Sequence, residues 1–237
     1  MKTIQVLLVI ALLSTTCCLN AQTFAGDRNF DGLHKNEVQG YLQSGDNIIT
    51  GFLIGMTGVY TRHFDKHWSV RGGAHYQVQK GLFGFSGEGV CHFSKGYSDF
   101  YLSAKAFYNR YDKYKTDEYN ANVSLTWQTP YFDLTVGESF ITYNLLASTY
   151  TEPLTLTFGT GVNIRPRWEK WNVGAFFRNY DEFYYENWNI NWGFRGMGTL
   201  ADNLKLLAEL NIRPAGSMSQ LASKYETTVK IGLKYVW

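Results

Sequence analysis

The chain is poor in cysteine, poor in proline, and lacks an excess of either charge. Its 237 residues hold 3 Cys, 4 Pro and a formal net charge of +2. Cys17 and Cys18 fall within the first 21 residues, so Cys91 stands alone downstream and no internal disulfide can form there. Scarce proline suits long β-ladders, which need every backbone N–H. Beyond the first 21 residues there is no apolar run long enough for a membrane helix. Phosphate-binding loops, G-x-S-x-G elbows and recognisable cofactor motifs are also missing.

The N-terminus reads as an address rather than as part of a fold. Met1 and Lys2 form a short basic start, Ile4 to Leu13 is mostly apolar, and Ser14 to Ala21 is small and polar. That order describes a secretory signal cleaved after Ala21. Ser14, Thr15 and Thr16 lack the leucine that a lipidation signal places before its cysteine. Residues 1–21 are therefore expected to be a cleaved signal, 22–35 a short periplasmic lead, and 36–237 one folded domain.

What the chain has in quantity is aromatic side chains, 17% of residues, and period-two alternation. In the last twelve residues, Val229, Ile231, Leu233, Tyr235 and Trp237 share one face of an extended strand. Thr228, Lys230, Gly232 and Lys234 share the other. The same alternation runs through 203–213, 187–199, 170–181, 154–166, 119–128, 100–109, 83–93, 68–78 and 50–64. So many alternating strands in succession predict an all-β antiparallel barrel that crosses a membrane. Alternation also explains a mean hydropathy of −0.25, because a polar lumen face offsets the apolar one.

Two segments fit less well. Glu138 shares parity with Leu134, Val136 and Phe140, which aims a carboxylate at lipid unless a β-bulge near Gly137 or a position above the bilayer intervenes. Residues 36–44 alternate poorly, but an even strand count of twelve requires them. Short turns at 65–66, 95–97, 128–130, 168–169 and 201–202 alternate with generally longer connections, as periplasmic turns and outer loops do. Phe64, Trp68, Phe93, Tyr97, Trp127, Phe132, Trp168, Trp171 and Trp237 lie by the short turns. Tyr76, Phe83, Tyr108, Tyr119, Tyr143 and Tyr180 lie toward the longer loops. Together they are expected to form two interfacial girdles.

The terminal strand resembles the closing strand of Gram-negative outer-membrane barrels. That resemblance makes Val229, Ile231, Leu233, Tyr235 and Trp237 a signal read by the barrel-assembly machinery. The length, twelve inferred strands, basic inward face and final aromatic resemble small monomeric porins for acidic oligosaccharides. The resemblance covers architecture and carries no diagnostic motif. It implies a cell outer membrane location, with lipid and lipopolysaccharide around the barrel.

By parity, the lumen receives Arg71, Lys105, Arg165, Arg178, Arg195, Lys205, Arg213, Lys230 and Lys234, with Glu88 and Glu209 against them. Such a lining concentrates small anionic solutes. The competing expectation is a barrel filled by its own salt bridges, since twelve strands lie between the filled eight and the open sixteen. The barrel would then act through outer loops bearing Tyr111, Tyr114, Phe183, Tyr184 and Tyr185, which would contact a protein or glycan.

A lipid-modifying enzyme comes third. His75 and Glu88 lie on neighbouring strands and could meet, and His63 and His67 flank a turn, but two ligands make a poor metal site. No catalytic residue, metal site or cofactor is therefore assigned. Nucleic acid is excluded as a partner because the basic residues point inward and the outer loops are acidic.

Overall fold

The structure, a computed structural model, describes residues 35–47, 51–79, 81–145, 148–167, 169–181, 184–185, 190–214 and 225–237. The signal and nearly all of the proposed lead lie outside the described residues, as does Phe183. Fourteen strands are described. They are β1 (Asn36–Asn47), β2 (Gly51–His63), β3 (Trp68–Gln77), β4 (Leu82–Lys95), β5 (Ser98–Tyr111), β6 (Thr116–Gln128) and β7 (Phe132–Leu145). There follow β8 (Ser148–Asn163), β9 (Trp171–Arg178), β10 (Tyr180–Asp181), β11 (Tyr184–Tyr185), β12 (Asn191–Ala201), β13 (Leu204–Pro214) and β14 (Tyr225–Val236). All but β10 and β11 form one closed antiparallel barrel of twelve strands, each paired with its neighbours in sequence.

Closure depends on the segment whose pattern is weakest. β1 pairs with β14 from Glu37 opposite Val236 to Asp46 opposite Thr227. Lys35 N and Asn36 N both donate to Trp237 O, at 3.1 and 3.0 Å, and Trp237 N returns a bond to Asn36 O. In hydrocarbon an unpaired backbone group costs several kcal/mol, roughly, so a sheet is compatible with lipid only when it has no open edge. Those pairings satisfy that condition at the seam.

The two faces sort as alternation predicts. Val38, Leu42, Phe52, Ile54, Met56, Val70, Leu125, Val136, Leu156, Val173, Phe194, Ile231 and Leu233 all lie exposed on the outside. Aromatic pairs mark the lower rim, with Phe93 stacked on Phe100 at 5.4 Å, Trp127 against Phe132 at 5.9 Å and Tyr235 against Trp237 at 5.7 Å. Tyr108 and Tyr119 meet at 5.2 Å toward the upper rim. Tyr143 and Tyr180 depart from the predicted girdle. Both turn inward, where Tyr180 and Tyr143 pack with Phe107 and Ile141.

Glu138 does face outward, midway along β7, opposite Val123 on one side and Leu156 on the other. The register shift lies higher, between Ser139 and Ile141, and does not turn the carboxylate away. A lone carboxylate on a lipid-facing strand opposes insertion, and β7 carries it between apolar neighbours.

The turn from β2 to β3 is held by Asp65, whose Oδ1 accepts from His67 N at 2.6 Å and Trp68 N at 2.8 Å. Those two backbone donors hold its carboxyl below the usual range, since they bond best to the charged form.

Candidate functional site: a charge-paired lumen

Arg71, Lys105, Arg178, Arg195, Lys230, Lys234, Glu88 and Glu209 all point into the barrel and are buried there. Lys205 also lies on the inward face of β13, half-buried. Arg213 sits in β13 opposite Glu226, and its side chain lies outside the described residues.

Arg165 is the exception. β8 ends at Asn163, so Arg165 falls in the turn, exposed and paired with Glu169 at 3.4 Å. Arg167, two residues on, takes the inward place. Its Nη2 donates to Thr129 O and, at 3.0 Å, to Phe132 O, which braces the adjacent turn across the lower mouth. Strand parity does not extend around a turn, so the sequence pattern could not choose between the two arginines.

The inward charges are joined in ion pairs. Arg71 meets Glu88 at 3.5 Å, opposite it in the β3–β4 register. Lys234 meets Glu37 at 2.5 Å across the closing seam. Arg195 reaches over two strands to Asp133 on β7 at 2.5 Å, and its Nη2 also donates to Asn163 Oδ1 at 3.2 Å. Gly161 lies beneath that pair: a Cβ there would stand 2.5 Å from Arg195 Nη2 and 2.8 Å from Asp133 Oδ2. The β8 glycine makes room for a guanidinium that crosses the barrel.

The densest group links β9, β13 and β14. Arg178 Nη2 lies 2.8 Å from Glu209 Oε1 and 3.6 Å from Asp181 Oδ1. Lys230 Nζ lies 3.2 Å from the same Glu209 oxygen and also contacts Asp181 Oδ2. Phe176 covers the Arg178 guanidinium at 4.2 Å, and Tyr41 lies 5.6 Å from the Lys230 ammonium.

Asp181 is the surprise, because chain position alone places it with the outer loops. Asn179 explains how it gets inside. Its backbone and side chain bond Phe158 O, Phe158 N and Leu156 O on β8, which ends the β9 ladder after Arg178. The chain then turns inward, Tyr180 packs on Phe107 and Ile141, and Asp181 enters the charge group. Gly159 lies under this bend, where a Cβ would stand 2.8 Å from the Tyr180 ring.

The lumen is also more apolar than its sequence pattern suggests. Tyr41 packs with Leu207 and Met197, and Leu53, Val59, Tyr101, Phe107, Ile141 and Phe176 are buried. The proposed His75–Glu88 contact gives way to the register, which sets Glu88 opposite Arg71 and His75 opposite Gly84. His75 Nδ1 instead meets Thr57 Oγ1 at 2.7 Å. His67 Nδ1 lies 2.9 Å from His92 O, and His92 Nε2 lies 2.9 Å from Asp99 Oδ1. Among the described residues no group of three side chains is placed to hold a metal ion.

At the outer end, Arg110 grips Asp117 at 2.8 Å and Tyr108 donates to it at 2.7 Å.

No protein-family model matches the chain, and no curated protein matches it. Solved structures do. The KdgM porin in complex with disordered oligogalacturonate aligns with a TM-score of 0.57 at 9% identity, over 85% of this chain and 99% of that one. The NanC porin aligns with 0.56 at 9% identity, over 84% and 98%. An outer membrane channel from Pseudomonas putida F1 aligns with 0.55 at 7% identity, over 92% and 100%. This chain shares the fold of outer-membrane porins.

Proposed function

We propose that the protein is a narrow outer-membrane channel for small anionic solutes, closed on itself in the conformation described. The apolar belt would face lipid and lipopolysaccharide, and β14 would carry the strand that the assembly machinery reads. The fold likeness to porins supports passage through the lumen.

One observation carries the choice of anions. Arg167, Arg178 and Arg195 each hold Nε and Nη1 buried with no hydrogen-bond acceptor among the described residues. A guanidinium has five donors and no acceptor, and no flip of the group reverses that. The chemistry that completes these donors is an anionic oxygen, of a carboxylate or a phosphate. Arg195 lies over Gly161 in the lower half of the lumen and Arg178 nearer the outer loops, so a solute would pass from one to the other.

A second reading is favoured by the burial of the inward side chains: a closed barrel that acts through outer residues such as Tyr111 and Tyr114. Uptake into proteoliposomes separates the two. Glucuronate is expected to enter faster than glucose, and Arg195→Gln is expected to remove most of the difference. Equal rates would contradict anion preference, and no uptake of either sugar would favour the closed barrel.

A further inference from the structure

We infer that the Arg178–Lys230 group is a carboxylate-binding site, and that Asp181 is its resident, intramolecular occupant. The inference rests on the channel reading above and deepens it: the solute would carry a carboxylate, and it would bind by taking the place of the Asp181 side chain.

Four observations support it. First, a barrel that only had to neutralise two buried cations would use the ladder, and part of that provision exists. Glu209 is fixed on β13 within 3.2 Å of Lys230 and 2.8 Å of Arg178. Asp181 supplies a second carboxylate from outside the barrel sheet, on a two-residue strand that pairs with β11. Second, the charges then balance as two cations against two carboxylates. With Asp181 withdrawn the group is one negative charge short, and a single carboxylate is its complement.

Third, Arg178 has capacity for more than Asp181 takes. Its Nη2 serves the carboxylates, while Nε and Nη1 are buried without an acceptor among the described residues. Nε and Nη1 lie on different edges of the guanidinium, either side of Nη2, so each can take a further oxygen, and Asp181, 3.6 Å from Nη2, bonds neither. Fourth, the surroundings suit a sugar acid. Phe176 and Tyr180 flank the guanidinium at 4.2 and 6.0 Å, and Tyr41 lies beside the ammonium. Aromatic faces can pack against the apolar face of a sugar ring while the cations hold its acid group.

An intramolecular carboxylate acts as a competitor at high effective concentration, so the apparent affinity for a free one is lowered by the fraction of sites it fills. Removing the competitor while keeping the residue's size should reveal the site. The experiment is calorimetric titration of the purified full-length barrel with sodium glucuronate, with glucose as the neutral control.

Asp181→Asn is expected to tighten glucuronate binding by about tenfold or more over wild type. Arg178→Gln in that background is expected to abolish the gain. Tyr180→Ala provides a second route, because it removes the anchor on Phe107 and Ile141 and leaves every charge in place. It is expected to tighten binding in the same direction. Heat-modifiable gel mobility verifies that each variant is folded.

If neither folded Asp181→Asn nor folded Tyr180→Ala binds glucuronate more tightly than wild type, Asp181 is not a resident ligand and the inference is overturned. Bilayer recording of the same proteins separates that failure from failure of the channel reading. Anion-selective steps with no gain in affinity would retain the channel and discard the resident carboxylate. A gain that depends on Arg178, in a barrel that never conducts, would retain the binding site and discard the channel.

Discussion

Glu209→Leu is expected to cost the folded barrel about 3–5 kcal/mol, the loss that follows when one partner is removed from a buried ion pair. Glu209 is the carboxylate shared by Arg178 and Lys230, and all three side chains are almost wholly enclosed, at 1–3% exposure. Leucine keeps most of the volume and removes the charge. Two cations then face Asp181 alone, at a depth where water cannot easily solvate them. The readout is the urea midpoint for unfolding from lipid vesicles, followed by tryptophan fluorescence and by the heat-dependent gel shift. Glu169→Ala is the surface comparison. It breaks the exposed pair with Arg165 and should change stability by less than about 1 kcal/mol. If the two variants behaved alike, the charge group would not be a structural element of the lumen.

Ile231→Arg is expected to cost about 2–4 kcal/mol in a bilayer, the penalty for a cation near the middle of a lipid-facing strand. Ile231 is exposed on the outside of β14, opposite Leu42 on β1 and Ala208 on β13. Its neighbour Lys230 carries a charge one residue away with no such penalty, because it points inward to Glu209 and Asp181. Insertion yield and the urea midpoint in vesicles report the effect, and Ile231→Val should leave both nearly unchanged. An arginine tolerated at 231 would mean that this face is not covered by lipid.

The outward face was legible in sequence because lipid imposes one rule on every strand. The outward residues of β14 from Val229 to Tyr235 and of β6 from Tyr119 to Trp127 alternate with polar or glycine neighbours without a break. β1 was hard to read because its outward positions include Gly40 and Ser44 beside Val38 and Leu42. Its place is set by backbone pairing with Trp237 and the rest of β14, which side-chain pattern does not encode.

The inward face obeys no such rule, and there the sequence pattern gave only part of the answer. Arg178, Arg195, Lys230 and Glu209 lie on regular strands, and alternation turns each of them inward. It failed at Arg165, where the strand had already ended and Arg167 turned inward instead. It failed again at Tyr180 and Asp181, where Asn179 stops the ladder and bends the chain into the barrel. It could not reveal that Asp133 would reach Arg195 across β8 and β9, because that depends on the space left beneath the pair by Gly161. Carboxylates brought in by Glu37, Asp133 and Asp181 pair with Lys234, Arg195, Arg178 and Lys230 and neutralise much of their charge. What distinguishes the lumen is therefore a surplus of guanidinium donors more than a surplus of charge.

The most direct test of the account is single-channel recording of the purified barrel in a planar bilayer under a potassium chloride gradient. Small, resolvable steps are expected, with a reversal potential toward that of chloride and larger steps for Asp181→Asn. Folded, heat-modifiable protein that inserts and gives no steps, or steps that reverse toward potassium, would contradict it.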